Sequence, residues 1–233
     1  MEANRVKILV IDIGGAHVKL LATGYKQRVE FPSGPKMTPK KMVVATREAT
    51  ADWKYDAVSI GYPGPVVHGR PVSEPVHLEP GWVGFDFKKA LRRPVRIVND
   101  AAMQALGSYQ GGRMLFLGLG TGLGSALIVD DVLEPMELGH LPYKNGRTYE
   151  DYVGQVGLDR QGKKKWRRQV NEVVQYLKSA LQADYVMLGG GNARLLKKLP
   201  PGARLGANSN AFQGGYRLWA KRYSGSTHKR FLQ

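Results

Sequence analysis

Five side chains stand where their type and neighbours could do chemistry: Asp12, Asp100, Glu137, His140 and Glu150. Asp12 lies near the end of the apolar run "VKILVIDI", just before Gly14 and Gly15. A carboxylate there is costly to bury unless it has a partner. It could orient Mg²⁺ through water beside phosphates, or hydrogen-bond its own turn. Lys19, seven residues on, could meet a phosphate or pair with Asp12. In "VRIVNDAAMQALG" a strand gives way to a helix at Asn99 and Asp100. Asn is a good N-cap, and Asp suits the first turn of a helix. The carboxyl end of a strand is also where ligands collect in α/β sheets, so Asp100 could serve as a general base. Glu137 and His140 in "EPMELGHLPY" and Glu150 in "RTYEDY" could form a surface turn, ligate a metal, or bind hydroxyl groups. No thiolate or His-x-His spacing supports the metal.

Glycine marks the places where a ligand could approach the backbone. In "MLFLGLGTGLGSALIVDD", Gly118, Gly120, Gly122 and Gly124 alternate between two apolar runs, with Thr121 at the centre. No Gly-Lys-Ser/Thr follows, and the spacing is not G-x-G-x-x-G, so neither a Walker loop nor a dinucleotide fingerprint is present. A hairpin tip with free N–H groups and a Thr hydroxyl remains, which is an anion-binding nest if it is not an ordinary turn. Gly14-Gly15 and Gly189-Gly190-Gly191 also end apolar strands, and three such clusters favour room for phosphate.

The elements that must position these residues mix strands and helices throughout, which gives the α/β class. Strands are expected at "VKILVIDI", "VKLLATG", "RVEFPS", "DAVSIGY", "PVRIV", in the glycine-rich hairpin and at "DYVMLGGG". Helices are expected at "TPKKMVVATREATAD", capped by Thr38 with Pro39 in the first turn, and at "FKKALRR", "NDAAMQALGSY", "RTYEDYVGQVG", "NARLLKKL" and "NAFQGGYRLWAKRY". The longest is "QGKKKWRRQVNEVVQYLKSALQA", with Val170, Val173, Val174, Leu177 and Leu181 on one face. "SGSTHKRFLQ" reads as a frayed basic tail. The hairpins "ILVIDIGGAHVKLLATG" and "LFLGLGTGLGSALIVDD" are alike, so two lobes opening with the same unit are expected.

The chain of 233 residues contains no cysteine, which excludes disulfides and thiolate metal sites. Charges at Glu2, Arg5, Lys7 and Asp12 interrupt any signal-peptide core, and no stretch is long enough to span a bilayer, so a soluble cytoplasmic protein is expected. The net charge of +16 is uneven: residues 1–159 carry 19 Lys+Arg against 17 Asp+Glu, while residues 160–233 carry 16 against 2. A field of one sign over a third of the chain suits a polyanionic partner.

Taken together, "IDIGGAHVK", "EPGWVGFDF", "IVNDA", "LGLGTGLGSALI", "ELGHL", "YEDYVG" and "LGGGNA" resemble, in order, the motifs of the ROK family of sugar kinases and related proteins. Within that family the chain looks closest to the polyphosphate glucokinases, which also lack its cysteine-rich zinc segment. The resemblance implies a two-lobed actin-like ATPase (ribonuclease H-like) fold, each lobe a mixed sheet with flanking helices. It divides the chain into a small lobe (1–98), a large lobe (99–207) and a C-terminal helix (208–233) that packs back on the small lobe. It makes Asp100 the base that takes the proton of a sugar's primary hydroxyl, with Asn99, Glu137, His140 and Glu150 on the other hydroxyls. Asp12, Gly14, Gly15, Lys19, Thr121, Gly122, Gly189, Gly190 and Gly191 would face the donor, with Mg²⁺ near Asp12 and no zinc. It also implies a homodimer. Two positions depart from the family: Ala16 replaces a Thr or Ser, and His77 replaces a sugar-contacting Asn. The basic stretches "RQGKKKWRRQ" and "ARLLKK" would rim the donor side, which fits inorganic polyphosphate as donor, with or without ATP. The alternatives are an ATP-dependent kinase for mannose, fructose or an amino sugar, and a sugar-responsive regulator that binds nucleic acid. The family's repressors carry an N-terminal DNA-binding domain, whereas this chain enters its first strand by about Val6.

Overall fold

A computed structural model describes residues 6–207 and 209–220. The first sheet comprises β1 (Ile8–Ile13), β2 (His17–Ala22), β3 (Val29–Pro32), β4 (Ala57–Tyr62) and β7 (Val95–Asn99), in the order β3-β2-β1-β4-β7. Between these strands the chain makes helix α1 (Pro39–Ala49), a small ladder of β5 (Val66–Val67) with β6 (Arg70–Pro71), and helix α2 (Phe87–Leu91). Helix α3 (Asp100–Ser108) leads into the second sheet. That sheet comprises β8 (Arg113–Leu119), β9 (Leu123–Val129), β10 (Val132–Met136), β13 (Tyr185–Gly189) and β14 (Ala203–Leu205), in the order β10-β9-β8-β13-β14. A hairpin of β11 (Pro142–Lys144) and β12 (Arg147–Thr148), then α4 (Glu150–Val153) and α5 (Gln155–Ala180), separate β10 from β13. Helix α6 (Asn210–Arg217) follows β14.

The two sheets have one topology. Each begins with an antiparallel meander of three strands and continues with two parallel strands beside the first. The likeness between the two hairpins is therefore a likeness of whole sheets. Their leading strands are apolar on both faces because each sheet is covered twice. In β1, Leu9, Ile11 and Ile13 pack with Met42, Trp82 and Phe87, while Ile8 and Val10 pack with Met103, Ala211 and Phe212. In β8, Leu115, Leu117 and Leu119 face Trp166, Val170, Val173 and Leu177 of α5, while Met114 and Phe116 face Ala102 and Leu106 of α3. Helices α3 and α6 thus lie between the sheets.

They approach closely through glycine. A Cβ on Gly107 would lie 1.8 Å from the Asn210 carbonyl oxygen, and one on Gly214 would lie 1.7 Å from that of Met103. Gly215 lets α6 settle on Val10, and its carbonyl accepts from the Ser59 hydroxyl at 2.6 Å. Trp219 Nε1 donates to the same hydroxyl at 2.9 Å.

Local signals set several boundaries. Thr38 Oγ1 accepts from the Lys41 amide at 3.2 Å and starts α1 at Pro39. One reading needs correction. The expected helix "NARLLKKL" is only a 3₁₀ turn over Gly191–Leu195. It is confined between Gly190, at φ +80°, and Pro200-Pro201, a span too short to repay helix nucleation. Leu195, Leu196 and Leu199 instead pack on the core under α5. The long helix starts where it is expected, after a break at Gly162, whose φ is +73°, and a shorter helical stretch from Gln155 precedes that break. The basic tail "SGSTHKRFLQ" lies outside the described residues. Among the described residues no helix is long and apolar enough to cross a membrane.

Candidate active site

The C-terminal ends of β1, β4 and β7 hold the first part of the site. Register places Asp12 beside Gly61 and Gly61 beside Val98, so Asp12 and Asn99 rise at nearly the same level, two strands apart. Asn99 caps α3: its Oδ1 accepts from the Ala102 amide at 3.2 Å, and its Nδ2 donates to the Gly64 carbonyl at 3.1 Å. Asp100 then opens the helix. It comes down over Gly61, where a Cβ would lie 2.4 Å from Met103 Cε and 3.5 Å from the Asp100 Cα. No motif flagged Gly61, although its place in "SIGYPG", at the end of a buried strand, was a signal of close approach.

The carboxylates converge from both sheets. Burial pushes the Asp100 carboxyl up to about 7. The neighbouring charge of Asp12 adds to the rise, the Ala101 amide donating at 2.7 Å opposes it, and Glu137 adds again. Asp12 is likewise raised by burial, against the pull of Lys19. Lys19 Nζ stands 3.8 Å from Asp12 Oδ2, so the pairing weighed for these two residues is present. A carboxylate beside other carboxylates and poised near neutrality can accept a proton at working pH.

A second group comes from the other half. Ser125 Oγ donates to the Met136 carbonyl at 2.8 Å and accepts from the Leu138 amide at 3.0 Å, which fixes the turn carrying Glu137 and His140. Gly139 lets that turn close on Leu123 and Glu150. Burial raises the Glu137 carboxyl, His140 opposes the rise, and Glu150 adds to it. Glu137, His140 and Glu150 are thus neighbours. Glu150 also accepts from the Leu123 amide at 3.0 Å. Among the described residues no three His, Asp or Glu cluster tightly enough to ligate an ion alone. Asp12, next to the first glycine turn, could hold a cation only jointly with oxygens of a bound phosphate.

The glycine clusters divide by purpose. At the first tip the Gly14 amide donates to the His17 carbonyl at 2.9 Å, and Ser33 braces the loop from below. The amides of Gly15 and Ala16 have no backbone partner among the described residues. In the second hairpin, Gly120 faces open space. Gly122, by contrast, is covered by Glu150, whose Oε2 would lie 2.0 Å from a Cβ there. Gly124 gives way to Ala101 of α3 at 2.8 Å. At Gly122 and Gly124 the space a side chain would take is therefore filled by protein, while at Gly120 it is open. Of the third cluster, Gly189 is buried, with Gln104 and Phe116 filling the place of a side chain, and Gly190 lies against Leu119. Gly191 faces open space. Gly189 is thus packed closely on the side a side chain would take.

Two further residues, missed in the sequence, join these loops. Asn192 Nδ2 donates to the Gly120 carbonyl at 3.2 Å and to Gln155 Oε1 at 2.9 Å, while the Gln155 amide donates to the Thr121 carbonyl at 3.0 Å. Arg194 Nε donates to the Gly191 carbonyl at 3.4 Å, and Arg167 Nε to that of Leu195 at 2.7 Å. Lys163, Lys164, Lys165 and Arg168 are exposed, and none forms an ion pair among the described residues.

No family model matches the chain. In sequence it is 27% identical over 213 residues to a polyphosphate glucokinase from Mycobacterium tuberculosis, covering 82% of this chain and 80% of that protein. The structure of an inorganic polyphosphate/ATP-glucomannokinase from Arthrobacter sp. strain KM matches with a TM-score of 0.77 at 24% identity, over 91% of this chain and 97% of that one. A ROK family glucokinase from Streptomyces griseus, solved with glucose and AMPPNP, matches with a TM-score of 0.72 at 17% identity, over 91% and 98% of the two chains. The chain is thus similar in sequence to polyphosphate glucokinases and shares the two-sheet, actin-like fold of the ROK sugar kinases.

Proposed function

We propose that this chain is a sugar kinase that transfers a phosphoryl group from inorganic polyphosphate, ATP or both to the primary hydroxyl of glucose. The observation that carries the reading is Asp100, a carboxyl raised to about 7 between Asp12 of one half and Glu137 of the other. The sugar hydroxyl gives its proton to Asp100 as its oxygen bonds to the terminal phosphorus. The bond from that phosphorus to the bridging oxygen breaks, releasing ADP or a polyphosphate shorter by one unit. Glu137, His140 and Glu150 hold other hydroxyls, and Asn99 supports the site through the helix cap. The free amides of Gly15 and Ala16, with Thr121 and Gly191, bind donor oxygens. Mg²⁺ shared between Asp12 and the donor would neutralise phosphate charge. Alignment and charge neutralisation supply most of the acceleration in such a site, because phosphoryl transfer asks for little covalent help.

Polyphosphate is favoured by the sequence likeness to polyphosphate glucokinases and by cations that form no ion pair among the described residues. Arg194 donates to the Gly191 carbonyl, Arg167 donates to that of Leu195, and exposed Lys163–Lys165 precede Arg167 on α5; a regular polyanion gains from each cation through counterion release. Fold likeness alone does not separate a kinase from a regulator, since ROK transcriptional regulators share this fold. The raised carboxyl and the kinase relatives in sequence support catalysis.

The test is sugar phosphate formation from glucose and Mg²⁺, with ATP and polyphosphate compared at equal phosphoryl concentration, beside Asp100→Ala. Activity with polyphosphate that the substitution abolishes is expected. Activity with ATP alone would remove polyphosphate from the account. No phosphorylation of glucose, mannose, fructose or amino sugars by either donor would remove the kinase.

A further inference from the structure

The two hairpin tips differ in what they can offer an anion. The second carries the Thr121 hydroxyl, whereas the first, Gly14-Gly15-Ala16, has no side-chain hydrogen-bond donor. His77 lies against that first tip. A Cβ on Gly15 would meet His77 Cβ at 3.3 Å and Cδ2 at 3.5 Å, so the imidazole borders Gly15, in the tip whose Gly15 and Ala16 amides have no backbone partner among the described residues. The side chain is exposed, and its ring nitrogens have no hydrogen-bond partner among the described residues.

His77 is not loosely held. Tyr62 Oη donates to the Ser73 carbonyl at 2.8 Å where its loop begins. Glu74 then closes the loop by accepting from the amides of Gly81, Trp82 and Val83 at 3.0, 2.9 and 3.2 Å. Buried Pro75 and Leu78 flank Val76 and His77, and the Glu79 amide donates to the Met37 carbonyl at 3.2 Å. A loop clamped at both ends thus presents one free imidazole to a glycine tip.

We propose that His77 is a donor-phosphate contact, supplying the first tip with the side-chain donor that Ala16 cannot. The proposal rests on the kinase reading and deepens it: the residue selects for a phosphoanhydride donor, not for the sugar. An imidazole offers an N–H in either protonation state, so the contact needs no titration.

The experiment is calorimetric binding of tripolyphosphate, without sugar, to wild type, His77→Ala, His77→Gln and the double variant Ala16→Thr/His77→Ala, together with KM for glucose. One lost hydrogen bond to a charged group predicts affinity weaker by about 10-fold in His77→Ala. Recovery is expected in the double variant and most of the affinity in His77→Gln, with glucose KM within about twofold of wild type. Unchanged tripolyphosphate affinity, no binding by the wild type, or an effect confined to glucose KM would overturn the proposal. Binding that depends on His77 in a protein that phosphorylates no sugar would instead uphold the contact and remove the kinase.

Discussion

The two leading hairpins occupy equivalent places in sheets of one topology, yet equivalent positions carry opposite chemistry. One pair before the tip, the first hairpin sets Asp12 opposite Lys19, while the second sets Gly118 opposite Gly124. The first keeps its charge near the glycine turn. The second has given up side chains, and Gly124 admits Ala101 of α3. That helix carries Asp100. The comparison teaches that one hairpin supplies charge and the other supplies clearance, and that the proposed base at Asp100 draws on both.

The strongest way to break the comparison is to neutralise the base. Asp100→Asn is expected to lower kcat by about 10²–10⁴-fold. The same change should stabilise the protein. The folded pKa of about 7 exceeds the ordinary 3.8, so the folded carboxyl costs stability fully above pH 7 and regains it as pH falls toward 4. Thermal melts should show the variant more stable than wild type at pH 8, by a few kcal/mol at most after solvent screening, with the gap closing toward pH 4.

Clearance is the next thing to remove. Gly124→Ala would press a methyl on Ala101, 2.8 Å away, and push on the first turn of α3. A loss of about 1–3 kcal/mol and of about 10-fold in kcat is expected, read by melts and by steady-state rates. Asp12→Asn takes away a charge that raises Asp100, so the acid limb of kcat/KM should move to lower pH. At Gly122 an added methyl displaces only the end of the Glu150 side chain. Glucose KM should rise by about 5–20-fold there, while stability changes by less than about 1 kcal/mol. Gly120→Ala meets nothing within 4 Å, and its thermal midpoint should stay close to wild type.

Much of this was legible because short-range physics carried it. The doubly buried strands, the Thr38 and Asn99 caps and the valine face of α5 each follow from neighbours in sequence. The convergence of Asp12, Asp100 and Glu137 was legible only through the resemblance, since they come from separate elements. Three things escaped. Gly61, Gln155 and Asn192 owe their places to contacts across the chain. The 3₁₀ turn at Gly191–Leu195 had helical residues but not helical length. The packing of Glu150 against Gly122 and of α3 against Gly124 also depends on contacts across the chain, which the sequence does not disclose.

The most direct measurement is the pH dependence of kcat/KM for glucose with polyphosphate in excess, from pH 5 to 9. A rate that climbs tenfold per unit and levels near pH 7 is predicted, with the bend displaced downward in Asp12→Asn. A profile flat down to pH 5, or a bend that Asp12→Asn leaves in place, would contradict a base raised by burial between the two halves.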